Sequence, residues 1–90
     1  MSDLVIRVNV DDYDTWKKTH DAFATKRREY GMTDQGTYRD VDDPHKAVVI
    51  LSVENLDKAF EWFRSREFQE ASQVVGLRGR RDIWVADKRG

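Results

Sequence analysis

Lys46-Ala47-Val48-Val49-Ile50-Leu51-Ser52-Val53 decides the fold. Its apolar residues fall on both alternating sets of positions. Ala47, Val49, Leu51 and Val53 make one row, and Val48 and Ile50 the other. A strand apolar on both faces is a central strand, covered on both sides. The unbroken apolar run, Ala47 to Leu51, is far too short to cross a bilayer.

Outward from this strand, the pattern changes period on each side. Downstream, Asn55 caps a helix whose stripe is Leu56, Ala59, Phe60 and Phe63, with Trp62 beside it. Ser65 re-caps it, and Phe68, Ala71, Val74 and Val75 continue the apolar pattern to Gly76. A fourth strand spans Arg78 to Asp87, centred on Ile83-Trp84-Val85, and Lys88-Arg89-Gly90 forms a frayed tail. Upstream, Asp42-Asp43-Pro44 is a turn, because proline fixes φ and aspartates bond back to the backbone. Before it, Met32 to Asp40 reads as a more polar second strand containing Gly36. Before that, Asp11 or Asp12 caps one long helix reaching Tyr30, with Gly31 as its terminating residue. Tyr13, Trp16, His20, Phe23, Arg27 and Tyr30 recur at spacings of three and four along one face of that helix. The first strand alternates: Leu4, Ile6, Val8 and Val10 share one face, and Val5, Arg7 and Asn9 share the other.

The order is β-α-β-β-α-β over residues 1–90, one α+β domain of the ferredoxin-like type. Its antiparallel sheet takes the order 4-1-3-2. Strands one and three are then central, and they are the two richest in apolar residues. Both helices cover the same face. Val5, Val48 and Ile50 are left on the other, and an exposed apolar face of that size marks an interface. The expectation is a homodimer joined face to face through its sheets.

Ninety residues are few for burying a core, so three Trp, three Tyr and four Phe matter. With no cysteine, thiolate catalysis, disulfides and Cys-ligated metal centres are excluded. A net charge of −1 argues against a general nucleic-acid binder. Arg78, Arg80 and Arg81 form a basic cluster, read as a solvated edge strand rather than a phosphate site. Met1-Ser2-Asp3 leads into a strand pattern, not a basic and apolar signal segment, which points to a cytoplasmic protein with no membrane contact.

Over nearly its full length the chain resembles the dimeric α/β-barrel superfamily, in particular the antibiotic-biosynthesis-monooxygenase-like proteins. The resemblance rests on Asp12-Tyr13-Asp14-Thr15-Trp16, Tyr38-Arg39-Asp40-Val41-Asp42-Asp43-Pro44, Asn55-Leu56-Asp57-Lys58-Ala59, Ser65-Arg66-Glu67-Phe68-Gln69-Glu70-Ala71 and Gly76-Leu77-Arg78-Gly79. It implies a ligand between sheet and helices. It also implies a choice of activities: cofactor-free oxygenation of aromatic polyketides, haem degradation, peroxidase-type chemistry, isomerisation or cyclisation. Haem degraders of this kind carry an Asn on the first strand and a Trp on the second helix, where Asn9 and Trp62 stand. Their iron-ligating His falls at Ser72, a poor iron ligand, so the resemblance stops short of haem and no cofactor is expected.

His20 is the most informative residue. A titratable imidazole among aromatics, with Arg27 further along the same face, suits proton transfer or oxyanion binding. The imidazole would take a proton from a phenol and Arg27 would steady the anion. The structural alternative is a partly buried histidine with Arg27 reaching out to water. Asn9 and Arg7 either meet a ligand or bond across the dimer axis. Trp16, Phe23, Tyr38, Trp62 and Trp84 either wall a flat aromatic ligand or fill the core. His45, after Pro44, is assigned no role, and no spacing suggests a metal site. Two functions follow. One is a cofactor-independent oxygenase, isomerase or cyclase acting on a small aromatic or polyketide-like compound in a helix–sheet cleft. The other is a non-catalytic dimer that binds a small ligand or serves a structural role.

Overall fold

The computed structural model describes residues 2–74 and 76–89, with no description of the side chains of residues 78–80. The elements run β1 (Ser2–Val10), α1 (Tyr13–Ala22), α2 (Ala24–Glu29), β2 (Met32–Arg39), β3 (Lys46–Val53), α3 (Leu56–Arg64), α4 (Arg66–Val74) and β4 (Leu77–Ala86). The four strands form one antiparallel sheet in the order β2-β3-β1-β4, which is the expected 4-1-3-2 read from the other edge.

The helix caps follow the local chemistry. Asp12 is the first cap: its carboxylate accepts from the Thr15 backbone N–H at 2.9 Å and from the Thr15 hydroxyl at 2.6 Å. Asn55 accepts from the Lys58 N–H at 3.1 Å, and Ser65 Oγ accepts from the Phe68 N–H at 3.2 Å. Gly31 has a φ of 77°, which ends α2 in the left-handed region that glycine adopts without steric cost.

Three expectations change. The long first helix breaks at Phe23, whose φ of −93° and ψ of 9° separate α1 from α2. The apolar stripe runs through the break, so spacing alone did not reveal it. Trp62 is not beside the α3 stripe but at its centre, 1% exposed and within 6 Å, ring centre to ring centre, of Phe23, Tyr30 and Phe68. Val74 is 85% exposed and takes no part in the core. Val75 lies outside the described residues.

The core is the layer between sheet and helices. Leu4, Ile6, Val8 and Val10 from β1 and Ala47, Val49, Leu51 and Val53 from β3 are all buried beneath Trp16, Ala59, Trp62 and Phe63. Among the described residues the opposite face carries no helix. There Val5 lies opposite Ile50 on one side and Trp84 on the other, and Arg7 lies between Val48 and Asp82. Arg7 pairs with Asp82 at 2.6 Å. No helix among the described residues is long and apolar enough to cross a membrane.

Two irregularities decide which side chains face which layer. Between Asp34 and Gly36 the β2 strand gains a residue relative to β3. Such a bulge reverses the facing of everything beyond it. Asp34 therefore stands opposite Leu51 on the helix side, whereas Tyr38 stands opposite Val48 on the open side. A second register shift lies opposite Val8, between the Asn9–Arg78 and Arg7–Asp82 pairs. It inserts two residues into β4, an even number, so facing is preserved and Arg81 and Ile83 stay on the helix side with Leu77.

Candidate functional site

A cavity of about 70 Å³ opens between α1, α2, α3, α4 and the sheet. Its floor is Ile6, Val8, Val49 and Leu51; its walls include Trp16, Phe23, Trp62, Phe63 and Phe68. The polar groups reaching it are Thr19, His20, Arg27, Ser72 and Arg81. A mostly apolar concavity with a few convergent polar groups is the ordinary form of a small-molecule site.

His20 projects from the last turn of α1, and its ring stacks on Trp16 at 4.9 Å between centroids, 23° from parallel. Its Nε2 is buried and has no hydrogen-bond partner among the described residues. Burial, reinforced by the Arg27 charge, pushes the imidazole down from 6.5 to about 4. His20 is thus a neutral imidazole at pH 7. An orphaned buried polar atom costs roughly 1–3 kcal/mol, which a ligand group can recover.

Arg27 is 4% exposed, the one charged residue in the core among the described residues. Its guanidinium holds Asp34 in a two-pronged clasp, Nε to Oδ1 at 2.8 Å and Nη2 to Oδ2 at 2.7 Å. Burial alone raises the Asp34 carboxyl, but the bonds and charge of Arg27 more than offset this and hold it below the usual range. Arg27 therefore acts on the cavity mainly through its field, since two of its donors are committed. It does not reach out to water. Its partner Asp34 escaped the sequence reading because the contact depends on the β2 strand lying beside α2.

Arg81 stands apart from the solvated cluster expected on the last strand. Its guanidinium carbon lies 4.8 Å from the centre of the Phe68 ring and 5.7 Å from that of Phe63. Partial burial pushes this guanidinium down from its ordinary value. The side chains of Arg78 and Arg80 lie outside the described residues. Ser72, at the place of the haem degraders' iron ligand, donates its hydroxyl to the Phe68 carbonyl at 2.9 Å.

The aromatic residues expected around a ligand divide between two places. Trp16, Phe23 and Trp62 line the cavity together with His20 and Arg27. Tyr38 and Trp84, 55% and 52% exposed, stand on the open face instead. Asn9 is on that face too, opposite Lys46 and Arg78. His45 is exposed at the hairpin, yet its Nδ1 lies 3.1 Å from the Val10 carbonyl, a structural tie between turn and strand. Among the described residues no cluster of three or more His, Asp or Glu side chains is placed to hold a metal.

A four-stranded antiparallel sheet with helices on one face and a cavity beneath them defines a ferredoxin-like α+β protein with a helix–sheet cleft. Its fold is that of the antibiotic-biosynthesis-monooxygenase-like proteins, and the likeness read in the sequence holds in three dimensions. A solved structure from Bordetella bronchiseptica carrying the antibiotic biosynthesis monooxygenase designation superposes with a TM-score of 0.78 at 13% identity, covering 98% of this chain and 96% of that one. SnoaB from Streptomyces nogalater, a cofactor-independent oxygenase, gives 0.72 at 13% identity over 98% and 94%. A further antibiotic biosynthesis monooxygenase gives 0.72 at 12% identity, with both chains fully covered. No family model matches the sequence, and no curated protein matches it.

Proposed function

We propose that this chain is a cofactor-independent oxygenase acting on a small, electron-rich aromatic compound in the helix–sheet cleft. The observation that carries this reading is the neutral His20, whose buried Nε2 has no partner among the described residues and lies in the wall of an aromatic-lined cavity. In the tautomer protonated at Nδ1, Nε2 holds a free lone pair. It accepts a hydrogen bond from a substrate hydroxyl or an activated C–H. The proton moves across as negative charge develops on the substrate, because the imidazolium and the anion then stabilise each other in a dry site. The Arg27 field favours the same anion. An electron-rich carbanion can reduce O₂ itself, so that a CH₂ group and O₂ become C=O and H₂O with no external reductant. The fold shared with a cofactor-independent oxygenase supports this choice over isomerisation or cyclisation, which need the same proton transfer but no O₂.

The second reading is a non-catalytic ligand-binding protein. It is favoured by the clasp on Asp34, which removes Arg27 from direct contact with an oxyanion. Oxygen uptake with electron-rich phenols and anthrone-like compounds separates the two. The oxygenase reading expects turnover that His20→Phe abolishes while the variant stays folded. Equal binding by wild type and His20→Phe, with no turnover in either, supports the non-catalytic protein.

The proposed working form is a cytoplasmic homodimer. Val5, Val48 and Ile50 are only partly buried on the open face, and Tyr38 and Trp84 are exposed beside them. A second copy laid against this face would cover that apolar surface and bring Arg7 and Asn9 near their counterparts. Sedimentation at micromolar concentration tests this: a stable monomer would contradict it.

A further inference from the structure

The cleft contains two arginines in opposite electrostatic situations. Arg27 has its charge paired and two of its donors committed in the clasp on Asp34. Arg81 is half-buried over Phe63 and Phe68, and makes no hydrogen bond or ion pair with the described residues. Among the described residues no Asp or Glu lines the cavity, and His20 is neutral there at pH 7. The lining therefore carries one uncompensated positive charge in an apolar, aromatic setting. Partly desolvated charge of this kind is costly unless something pairs with it. A guanidinium stacked on aromatic rings keeps its edge N–H groups free, and their fork matches a carboxylate.

We infer that Arg81 is the anion-binding residue of the cleft and that the ligand is a small aromatic acid. Its carboxylate pairs with the Arg81 guanidinium, its ring lies among Trp16, Phe23, Trp62 and Phe68, and a ring substituent faces His20. This rests on the reading of the cleft as the ligand site, and it names the chemical class that the cleft takes. The charge on Arg81 gives what Arg27 cannot: a guanidinium with its donors uncommitted. It also explains why a cation sits on β4 facing the helix layer, where its neighbours on that side of the strand, Leu77 and Ile83, are apolar.

The test is a binding titration with benzoate, salicylate, benzamide and phenol, followed by calorimetry and by the side-chain NMR signals of His20 and Trp16. Benzoate and salicylate bind wild type at least about tenfold tighter than benzamide or phenol, the worth of a charge-assisted bond. Arg81→Met removes that preference and leaves phenol unaffected, and Arg81→Lys restores part of it. Benzoate binding no tighter than benzamide, or Arg81→Met weakening all four probes equally, overturns the assignment. The wild-type ratio of benzoate to benzamide decides the matter even where a variant fails to fold. If phenol moves the His20 and Trp16 signals while benzoate gains nothing, this inference fails and the cleft remains a ligand site. If no probe reaches either signal, both fail.

Discussion

The two faces of the sheet are built from the same two strands, yet they do different work. On the helix side, alternate residues of β1 and β3 are buried, and Trp62, Phe23, Tyr30 and Phe68 close over them. On the other side, their immediate neighbours Val5, Val48 and Ile50 have no layer above them among the described residues, and Trp84 and Tyr38 stand exposed. The helix side also holds the buried Arg27 and two groups that burial perturbs, His20 and Arg81. The open side holds Arg7 and Asp82, paired at an exposed surface. Apolar residues alone thus do not mark the site. Polar groups held inside the apolar layer do.

That contrast is breakable by substitution. Trp62→Ala strips the centre of the helix-side layer and is expected to destabilise by about 3–5 kcal/mol, measured by urea unfolding. The next effect is on pH dependence. His20 is depressed to about 4 when folded against 6.5 when unfolded, so the unfolded chain binds more protons between those values. The stability associated with neutral His20 is intact above pH 6.5 and is lost as pH falls through 4, roughly 3 kcal/mol in all. His20→Phe should flatten that part of the curve, and should raise stability at pH 7 by removing the orphaned Nε2. Asp34→Ala leaves Arg27 buried without its partner. With Asp34 one-third exposed, solvent softens the loss to about 2 kcal/mol. Trp84→Asp comes last. At concentrations where any dimer has dissociated, it should shift the unfolding free energy by less than about 0.5 kcal/mol. At higher concentration the same variant should sediment as a monomer.

Much of this was legible in the chain. The alternation of Leu4 to Val10, the two-sided run at Lys46 to Val53 and the caps at Asp12, Asn55 and Ser65 placed the strands and helices. The His20 stripe pointed to the cleft because both helices must turn their apolar faces to the sheet. Tyr38 was misleading for a definite reason. From Met32, strict alternation would turn Tyr38 toward the helices, and the bulge between Asp34 and Gly36 turns it away. A methyl group built on Gly36 would meet the Tyr38 ring at 2.8 Å, so the ring lies across that glycine on the open face. The Arg27–Asp34 pair and the seat of Arg81 on Phe63 and Phe68 were not legible. Arg27 and Asp34 are only seven residues apart, but they lie on different elements, and both contacts depend on how strand and helix pack rather than on any spacing within one element. Trp84 was legible in principle, since it alternates with the core-facing Ile83.

The most direct measurement follows the side-chain nitrogen signals of His20, Trp16 and Trp84 in one sample at pH 7 as phenol is added. A ligand site on the helix side predicts that His20 is neutral from the start and that its signals and the Trp16 indole shift together, while the Trp84 indole stays still. Movement of Trp84 with His20 and Trp16 unchanged would place the ligand on the open face and contradict the assignment of the cleft.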